Sequence, residues 1–288
     1  MRDAADFHTH SLSSDGAVRP AEIAALAEQK KLAAVALTDH DTVNGIPEFI
    51  AEKQRYPELR LIPGVELSSM FNNRELHIVG LDIDINNSEL LEFLEKMRIE
   101  RVARAEKMAL KLTALGLPVP EEEWRPLNVV GRMHFAKLLS KYYQEKFPTP
   151  DTVFEVLLRR NLPGFVPRAL PHPAEAIAHI HHAGGAAVWA HPVFAAAGER
   201  SWLKRVLKHI VPAGLDGIEV HYVTFTPEQT ALVEENAAQY NLMCSGGSDF
   251  HGVGLPVCEI GTGRGGLKVP AAMLDELDKR TTAIRETK

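Results

Sequence analysis

The sequence predicts an α/β barrel that carries an inserted helical subdomain, and three observations favour this fold class. Short apolar runs alternate with amphipathic segments in both halves of the chain, as in strands joined by crossover helices. The alternation stops between about residues 97 and 168, where only helical patterns follow one another. About seven strands remain, close to the count of a closed parallel barrel. We therefore expect a barrel domain of residues 1–96 and 169–288 and a helical subdomain of residues 97–168.

The individual elements follow from these patterns. In the first half, apolar runs predict strands at residues 5–10, 32–37, 59–67 and 75–83, with helices at 21–31, 43–55 and from 88 onward. In the second half, strands are expected at 186–190, 217–222 and 242–245, with helices at 174–183, 201–211 and 227–240. Thr226, Pro227 and Gln229 form a capping box with proline at the first helical position. Within the insert, helices at 90–115, 132–143 and 151–159 are separated by prolines.

Composition and charge narrow the class of protein. The 288 residues are 45% hydrophobic and 24% charged, which is ordinary globular usage. The net charge of −6 argues against broad electrostatic binding to nucleic acid or anionic membranes. Cys244 and Cys258 are the two cysteines, so a disulfide framework is excluded. Neither a signal core nor a membrane span is visible, and no protein partner is implied. We expect a soluble cytoplasmic protein.

Histidines and carboxylates lie at the strand ends, where barrels place functional side chains. Alternate strand residues share a face, so His8 and His10 point the same way, as do Asp249 and His251. Asp15 follows the first strand, and the adjacent Gly16 lets the backbone turn it back toward the barrel mouth. Such a set at one end of a barrel indicates a metal centre. The candidate ligands are His8, His10, Asp15, His40, Glu66, His77, His191, Asp249 and His251.

Other polar residues have simpler interpretations. His172, His179, His181, His182 and His209 lie on or beside predicted helices and are expected to be structural. Glu219 and His221 are compatible with either a site or an ordinary polar strand. Asp39 and Asp41 flank His40 and either orient it or cap the next helix.

The motifs at these strand ends resemble those of the PHP (polymerase and histidinol phosphatase) superfamily. They are His8-Thr9-His10, Asp15-Gly16, Thr38-Asp39-His40-Asp41, Pro63-Gly64-Val65-Glu66, His77, Ala190-His191-Pro192 and Ser248-Asp249-Phe250-His251. The insert, with Arg132-Met133-His134, resembles that of bacterial phosphoesterases that release the 3′-phosphate of nucleoside 3′,5′-bisphosphates. Close relatives of those enzymes also trim short RNAs from the 5′ end.

The resemblance implies a distorted seven-stranded barrel with a trinuclear metal centre. His8, His10, Glu66 and Asp249 would hold one cation; Glu66 would bridge to a second, held also by His77 and His191; Asp15, His40 and His251 would hold the third. Nitrogen and oxygen ligands suit manganese, zinc or iron, and the resemblance favours Mn²⁺. His8, His10, Glu66, His191 and Asp249 would form the catalytic set.

Such a centre favours phosphoryl chemistry, because three divalent cations exceed the charge of three carboxylates and attract an anion. A metal-bound hydroxide would attack the 3′-phosphate of a small nucleotide such as adenosine 3′,5′-bisphosphate. Arg132, His134 and Arg168 are the candidates for binding the second phosphate, and Lys137 is a weaker candidate.

Three other functions remain open at this point. One is a 5′-to-3′ exoribonuclease acting on short RNA oligonucleotides, and a second is histidinol phosphatase, whose substrate lacks a second phosphate. The third is a non-catalytic metal-binding regulatory or polymerase-accessory domain, which would be expected to have lost ligands. All nine ligands that the resemblance implies are present in the sequence.

Overall fold

The computed structural model describes residues 2–196, 199–252 and 258–287. The chain divides into two compact units, one comprising Met1–Phe93 and Leu170–Lys288, the other Leu94–Ala169. The strands are β1 Ala4–Asp6, β2 Ala34–Leu37, β3 Arg60–Phe71, β4 Arg74–Leu81, β5 Ala186–Trp189, β6 Gly217–Tyr222, β7 Met243–Gly247 and β8 Val269–Pro270.

The helices begin close to where caps and prolines predict them. The Thr226 hydroxyl accepts from the Gln229 N–H (3.3 Å), which confirms that capping box. The α-helices are α1 Pro20–Gln29, α2 Ile46–Ala51, α3 Ser88–Ala114, α4 Glu121–Trp124, α5 Arg132–Tyr142, α6 Pro150–Val153, α7 Pro173–His182, α8 Pro192–Ala195, α9 Arg200–Ile210, α10 Pro227–Gln239 and α11 Met273–Glu286. A π-helical turn, Phe154–Leu158, continues α6.

The strands of the first unit form one sheet in the order β7-β6-β5-β4-β3-β2-β1-β8. The segment after β7 returns to the end of β1, because the Phe7 N–H donates to the Gly246 carbonyl (3.0 Å) and the Asp249 N–H donates to the His8 carbonyl (3.0 Å). These bonds nearly close the sheet, and the predicted class, an α/β barrel with a helical insert, is confirmed. The expected strand count is one short, because β8 has only two residues and ends at Pro270.

The expectation of an all-parallel barrel is wrong at β4. This strand is antiparallel to both β3 and β5. The reason is the connection between β3 and β4, which is only Asn72 and Asn73, both with positive φ (46° and 64°). Asparagine tolerates this left-handed backbone, and a two-residue turn of this kind forms a hairpin. Reversal places the start of β4, which carries His77, beside the carboxyl ends of the parallel strands.

The barrel core is built from alternate strand residues with a period of two. On β3, Ile62 joins the core, and Glu66 follows four residues later with the same parity. On β4, Val79 and Leu81 join the core and His77 has the same parity. Leu277 of α11 packs against this cluster. The barrel interior is therefore apolar toward one end and bears ionisable groups at the other.

The second unit has a hydrophobic core of its own. Trp124 of α4 packs against Phe135 of α5, with ring centroids 5.6 Å apart. Met108 and Leu112 of α3 and Leu158 of the π-helical turn are buried in the same cluster. In the part of the chain that the structure describes, no helix has both the length and the apolar character needed to cross a bilayer.

The buried Asp6 carboxylate joins three segments of the first unit. It accepts hydrogen bonds from the N–H groups of His8 (3.3 Å), Ser248 (3.0 Å) and Gly261 (2.7 Å), and from the Ser248 hydroxyl (2.6 Å). Asp6→Ala should lower the free energy of unfolding by about 2 to 4 kcal/mol, because it leaves buried donors unsatisfied. Urea unfolding in chelator measures this.

The matched control is Asp3→Ala, three residues earlier in the chain. Asp3 is exposed and pairs with Lys268 (2.6 Å), so its removal should cost less than about 1 kcal/mol. Equal destabilisation by the two substitutions would contradict this account of Asp6.

Candidate metal centre

Backbone hydrogen bonds continue beyond the strand ends and hold the site-bearing segments side by side. The Glu66 N–H donates to the Asp39 carbonyl (3.1 Å), and the Asp41 N–H donates to the Glu66 carbonyl (2.9 Å). Across the barrel wall, the Ala190 N–H donates to the His77 carbonyl (3.0 Å). The residues adjoining these bonds are therefore fixed in register before any side chain is considered.

Glu66 lies at the centre of the cluster and is completely buried. Its two oxygens approach five imidazoles. The distances are 2.9 Å from Oε1 to His77 Nδ1, 3.1 Å from Oε1 to His191 Nε2, 3.4 Å from Oε1 to His8 Nε2, 2.7 Å from Oε2 to His40 Nδ1 and 3.4 Å from Oε2 to His10 Nε2.

Asp249 and Asp15 complete the cluster. Asp249 Oδ1 lies 3.1 Å from His10 Nε2 and 3.5 Å from His8 Nε2. Asp15 Oδ1 lies 3.2 Å from His251 Nε2. The structure thus brings all nine candidate ligands together at one end of the barrel.

Three overlapping groups within the cluster have donor atoms that all lie within 4.8 Å of one another. They are His10, Asp15, His40 and His251; His8, His10 and Glu66; and His40, Glu66 and His77. Each group combines imidazole nitrogen with carboxylate oxygen. The overlap through His10, His40 and Glu66 means that neighbouring groups share ligands.

The carboxylates of the cluster are ionised at all ordinary pH values. Burial alone would raise the pKa of Glu66, but the imidazoles of His40, His77 and His8 outweigh burial and hold it well below its usual range. The same balance between burial and neighbouring imidazoles keeps the pKa of Asp15 and Asp249 well below the usual range.

The imidazoles of His77 and His251 differ in pKa from that of His10. Burial would lower the pKa of His77, but Glu66 raises it to about 10. The pKa of His251 is also raised to about 10, because the effect of the neighbouring carboxylates, mainly Asp15, outweighs burial. Burial and the neighbouring His251 instead lower the pKa of His10 to about 3. In the metal-free protein, some of these histidines therefore carry protons that a cation would displace.

The donor set fits divalent transition-metal cations. His8 Nε2, both ring nitrogens of His10, His40 Nδ1 and Glu66 Oε2 are buried and make no well-aligned hydrogen bond with the described residues. His40 Nδ1 and Glu66 Oε2 are close, at 2.7 Å, but are not aligned for a hydrogen bond. Buried polar atoms normally have partners, so this concentration of unsatisfied atoms points to absent cations. Imidazole and carboxylate ligands without thiolate suit manganese, zinc or iron.

Glu219 belongs to the site, although its sequence pattern is also that of an ordinary polar strand. Its side chain is buried; Oε1 lies 3.1 Å from His8 Nδ1, and Oε2 accepts from the His191 N–H (2.7 Å). It thereby orients two candidate ligands. The one signal in the sequence is its position on a strand whose neighbours all end in ligands. His221, two residues later, is in none of the three donor groups found among the described residues.

Tyr222 was not identified from the sequence. Its hydroxyl donates to Asp249 Oδ2 (2.7 Å). Burial and the Asp249 carboxylate hold the pKa of Tyr222 well above its usual range, so it stays a hydrogen-bond donor. Asp249 and His191 both have positive φ (51° and 31°), a strained backbone that recurs at functional sites.

The aspartates that flank His40 fasten neighbouring segments. Asp39 accepts from the hydroxyls of Ser11 (2.6 Å) and Ser14 (2.5 Å), which fixes the loop leading to Asp15. Asp41 accepts from the Ser68 N–H (2.8 Å). Asp39 therefore supports the site by holding a loop.

The histidines expected to be structural do have local partners. His172 Nδ1 accepts from the Ala174 N–H at the start of α7 (3.2 Å), and His181 Nε2 lies 2.8 Å from Asp216 Oδ2. His179 stacks on Phe93, with ring centroids 4.2 Å apart.

The candidate residues for a second phosphate all lie in the second unit. The Arg132 guanidinium lies over the ring of Phe154, 5.1 Å from its centroid. His134 Nδ1 accepts from the Gly131 N–H (3.0 Å), which caps α5. Arg168 is half-buried. Binding of a second phosphate by Arg132, His134 and Arg168 stays a prediction.

Cation binding should release protons, because His77 and His251 are protonated near neutral pH in the metal-free protein and must lose those protons to become ligands. Mn²⁺ affinity should therefore rise with pH between about 6.5 and 9. Calorimetric titration in buffers of different ionisation enthalpy should show release of at least one proton per chain. Heats that do not depend on the buffer would contradict this.

The stability of the metal-free protein should show the opposite pH dependence. Because the pKa of His77 and His251 is raised in the folded state, both residues stabilise the fold fully below their ordinary pKa of 6.5. This stabilisation is lost as the pH rises toward 10. The free energy of unfolding in chelator should therefore fall from pH 6.5 to 9. His10 has a lowered pKa and acts in the opposite direction, but it is neutral in both states above about pH 7.5 and adds nothing to the slope there.

Known proteins are similar to this chain in both sequence and fold. The PHP domain model matches residues 6–166. A 5′-3′ exoribonuclease Rnm of Salmonella typhimurium is 36% identical over 250 residues, 85% of this chain and 84% of that protein. A 3′,5′-nucleoside bisphosphate phosphatase of Chromobacterium violaceum is 34% identical over 254 residues, 86% of this chain and 87% of that protein.

A solved structure agrees over almost the whole length. An amidohydrolase from Chromobacterium violaceum with bound sulfate and no metal has a TM-score of 0.84 and 30% identity, covering 96% of each chain. Sequence match, fold and the convergence of motif residues around Glu66 lead to one assignment. The chain belongs to the PHP domain family and is a metal-dependent phosphoesterase.

Proposed function

We propose that this chain removes the 3′-phosphate of nucleoside 3′,5′-bisphosphates, such as adenosine 3′,5′-bisphosphate, to leave a nucleoside 5′-monophosphate and phosphate. The observation that carries this is the convergence of six imidazoles and three carboxylates, with the buried Glu66 at the centre, at one end of the barrel. The relative from Chromobacterium violaceum bears the name of this activity at 34% identity. We place the reaction in the cytoplasm, with three Mn²⁺ as the cations; Zn²⁺ or Fe²⁺ would suit the same ligands.

In this proposal the ligands are divided among the cations as the family resemblance implies. Glu66 would belong to two cations at once. The first would be held by His8, His10, Glu66 and Asp249; the second by Glu66, His77 and His191; the third by Asp15, His40 and His251. When bound, the cations supply Lewis-acid chemistry by neutralising phosphoryl oxygens and acidifying water.

The protein's own groups hold this arrangement rigidly. Glu219 contacts the His8 ring and the backbone N–H of His191, so it orients the first ring and holds the backbone that carries the second. Tyr222 occupies one oxygen of Asp249 and leaves Oδ1 facing His8 and His10. No side-chain nucleophile is required, because the attacking group in hydrolysis is water.

The second phosphate distinguishes this substrate from simple phosphomonoesters. We assign its binding to Arg132, His134 and Arg168 because a guanidinium presents two parallel N–H donors to a phosphate. Binding energy from a remote phosphate raises the rate at the reacting centre when it is expressed in the transition state. The insert would then select the substrate while the barrel performs the chemistry.

A second candidate function is 5′-to-3′ removal of nucleotides from short RNA. The observation that favours it is the name of the Salmonella typhimurium relative, 36% identical to this chain. The same metal centre would cut the 3′-phosphoester of the first nucleotide, with that nucleotide as leaving group and the phosphate kept at the new 5′ end of the RNA.

The experiment that separates the candidates is a substrate panel with the Mn²⁺-loaded enzyme. Adenosine 3′,5′-bisphosphate should be hydrolysed with a kcat/KM at least about tenfold above that of adenosine 3′-monophosphate, because the 5′-phosphate adds binding energy. Its kcat/KM should also exceed the values for a short 5′-phosphorylated RNA and for histidinol phosphate. A higher kcat/KM for RNA would establish the exoribonuclease instead, and equal values for the two adenosine compounds would refute a second-phosphate site.

Arg132→Ala tests the assignment of that site to the insert. It should lower kcat/KM for adenosine 3′,5′-bisphosphate by ten- to thousandfold, about 1.4 kcal/mol per factor of ten. An aryl phosphate, which has no second phosphate, should be hydrolysed at an unchanged rate, and the metal content should also be unchanged.

Arg125→Ala is a matched control within the same unit. Its guanidinium also lies over an aromatic ring, that of Trp124 at 5.2 Å, and it pairs with Glu106 at 3.1 Å. This control should affect neither substrate. Equal impairment of both substrates by Arg132→Ala would place the arginine at the reacting phosphate or in the fold.

A further inference from the structure

An exposed aromatic side chain lies three residues after the candidate metal ligand His191. Phe194 is in the first turn of α8 and is 59% exposed. Its N–H donates to the His191 carbonyl (3.0 Å), so the backbone of the ligand fixes the position of the ring. A single exposed apolar residue is common on protein surfaces. The neighbours of Phe194 give this one a specific meaning.

Phe194, Tyr222 and Phe225 form an aromatic corner beside the metal centre. The Phe194 ring centroid lies 5.7 Å from that of Tyr222, with the planes at 88°. The Tyr222 and Phe225 centroids are 5.1 Å apart. On the inner side, Tyr222 donates to Asp249, and its ring lies 5.6 Å from that of His191. The corner is therefore anchored to two candidate ligands.

The outer side of the corner remains accessible. The ring contacts of Phe194 with Tyr222 and His191 are both nearly perpendicular, at 88° and 82°. More than half of the Phe194 surface is exposed. Among the described residues, no other aromatic ring lies parallel to Phe194. A flat ligand can therefore stack on it.

We propose that the aromatic corner binds the nucleobase of the substrate, with Phe194 as the stacking face. This rests on the proposed function, in which a nucleotide presents its 3′-phosphate to the metal centre. One ribose separates that phosphate from the base, and one turn of α8 separates His191 from Phe194. Stacking accepts every base because each has a π-face, so the corner distinguishes nucleotides from other phosphate esters more than one base from another.

The test compares two substrates that differ only in the base. Phe194→Ala should lower kcat/KM for adenosine 3′,5′-bisphosphate by roughly ten- to hundredfold, the usual effect of losing one stacked base. Hydrolysis of ribose 3,5-bisphosphate, which has no base, should be unchanged. Phe194→Trp should restore the activity toward the adenosine compound. Bound Mn²⁺, measured by elemental analysis, should be equal in all variants.

Leu91→Ala is the control, because Leu91 is an exposed apolar residue on α3 (41%) that no part of the site includes. This substitution should leave kcat/KM unchanged for both substrates. If Phe194→Ala impairs both substrates equally, or leaves the adenosine compound unaffected, the proposal is overturned.

A second readout needs no turnover. In metal-free protein, adenosine 5′-monophosphate should quench the added fluorescence of Phe194→Trp, whereas ribose 5-phosphate should not; wild type, with Trp124, Trp189 and Trp202, gives the background. Failure of the wild type to hydrolyse the bisphosphate would refute the proposed function and leave this measurement decisive for the corner. Absence of quenching by the adenosine compound would refute the corner itself.

Discussion

The site depends on one buried carboxylate, Glu66. Placing an ionised group in a protein interior is costly unless it is paired. Here five imidazoles lie 2.7 to 3.4 Å from the carboxylate. In the metal-free protein, the protonated rings of His8 and His77, whose pKa Glu66 raises, compensate its charge. Cations held by the same ligands would take over this role. The cluster is thus stable only with positive charge inside it, which is also what a phosphoester substrate requires.

Strand direction makes this arrangement possible. Parallel strands bring their carboxyl ends to one edge, but His77 is near the start of its strand. The hairpin at Asn72 and Asn73 reverses β4, and His77 then pairs with Ser68, two residues after Glu66, near the end of β5. A parallel β4 would carry His77 to the opposite end of the barrel. The hairpin is therefore as necessary to the site as the ligand itself.

The sequence predicted much of this because the site obeys a simple rule. In a barrel, functional side chains lie at strand ends, and the sequence shows a histidine or a carboxylate at nearly every predicted strand end. The rule did not predict the reversal of β4, which depends on two asparagines with positive φ. It also left Glu219 undecided and missed Tyr222, because burial and hydrogen bonds decide their roles. β8 escaped prediction because two residues have no periodicity.

The central claim is that Glu66 is shared between cations, and metal stoichiometry tests it most directly. After loading with Mn²⁺ and desalting, wild type should retain about three equivalents per chain by elemental analysis. Glu66→Gln should retain about one, because only the group of His10, Asp15, His40 and His251 lacks this carboxylate. Glu92→Gln, which changes an exposed carboxylate on α3, should match wild type. Wild-type metal content in Glu66→Gln would contradict the account.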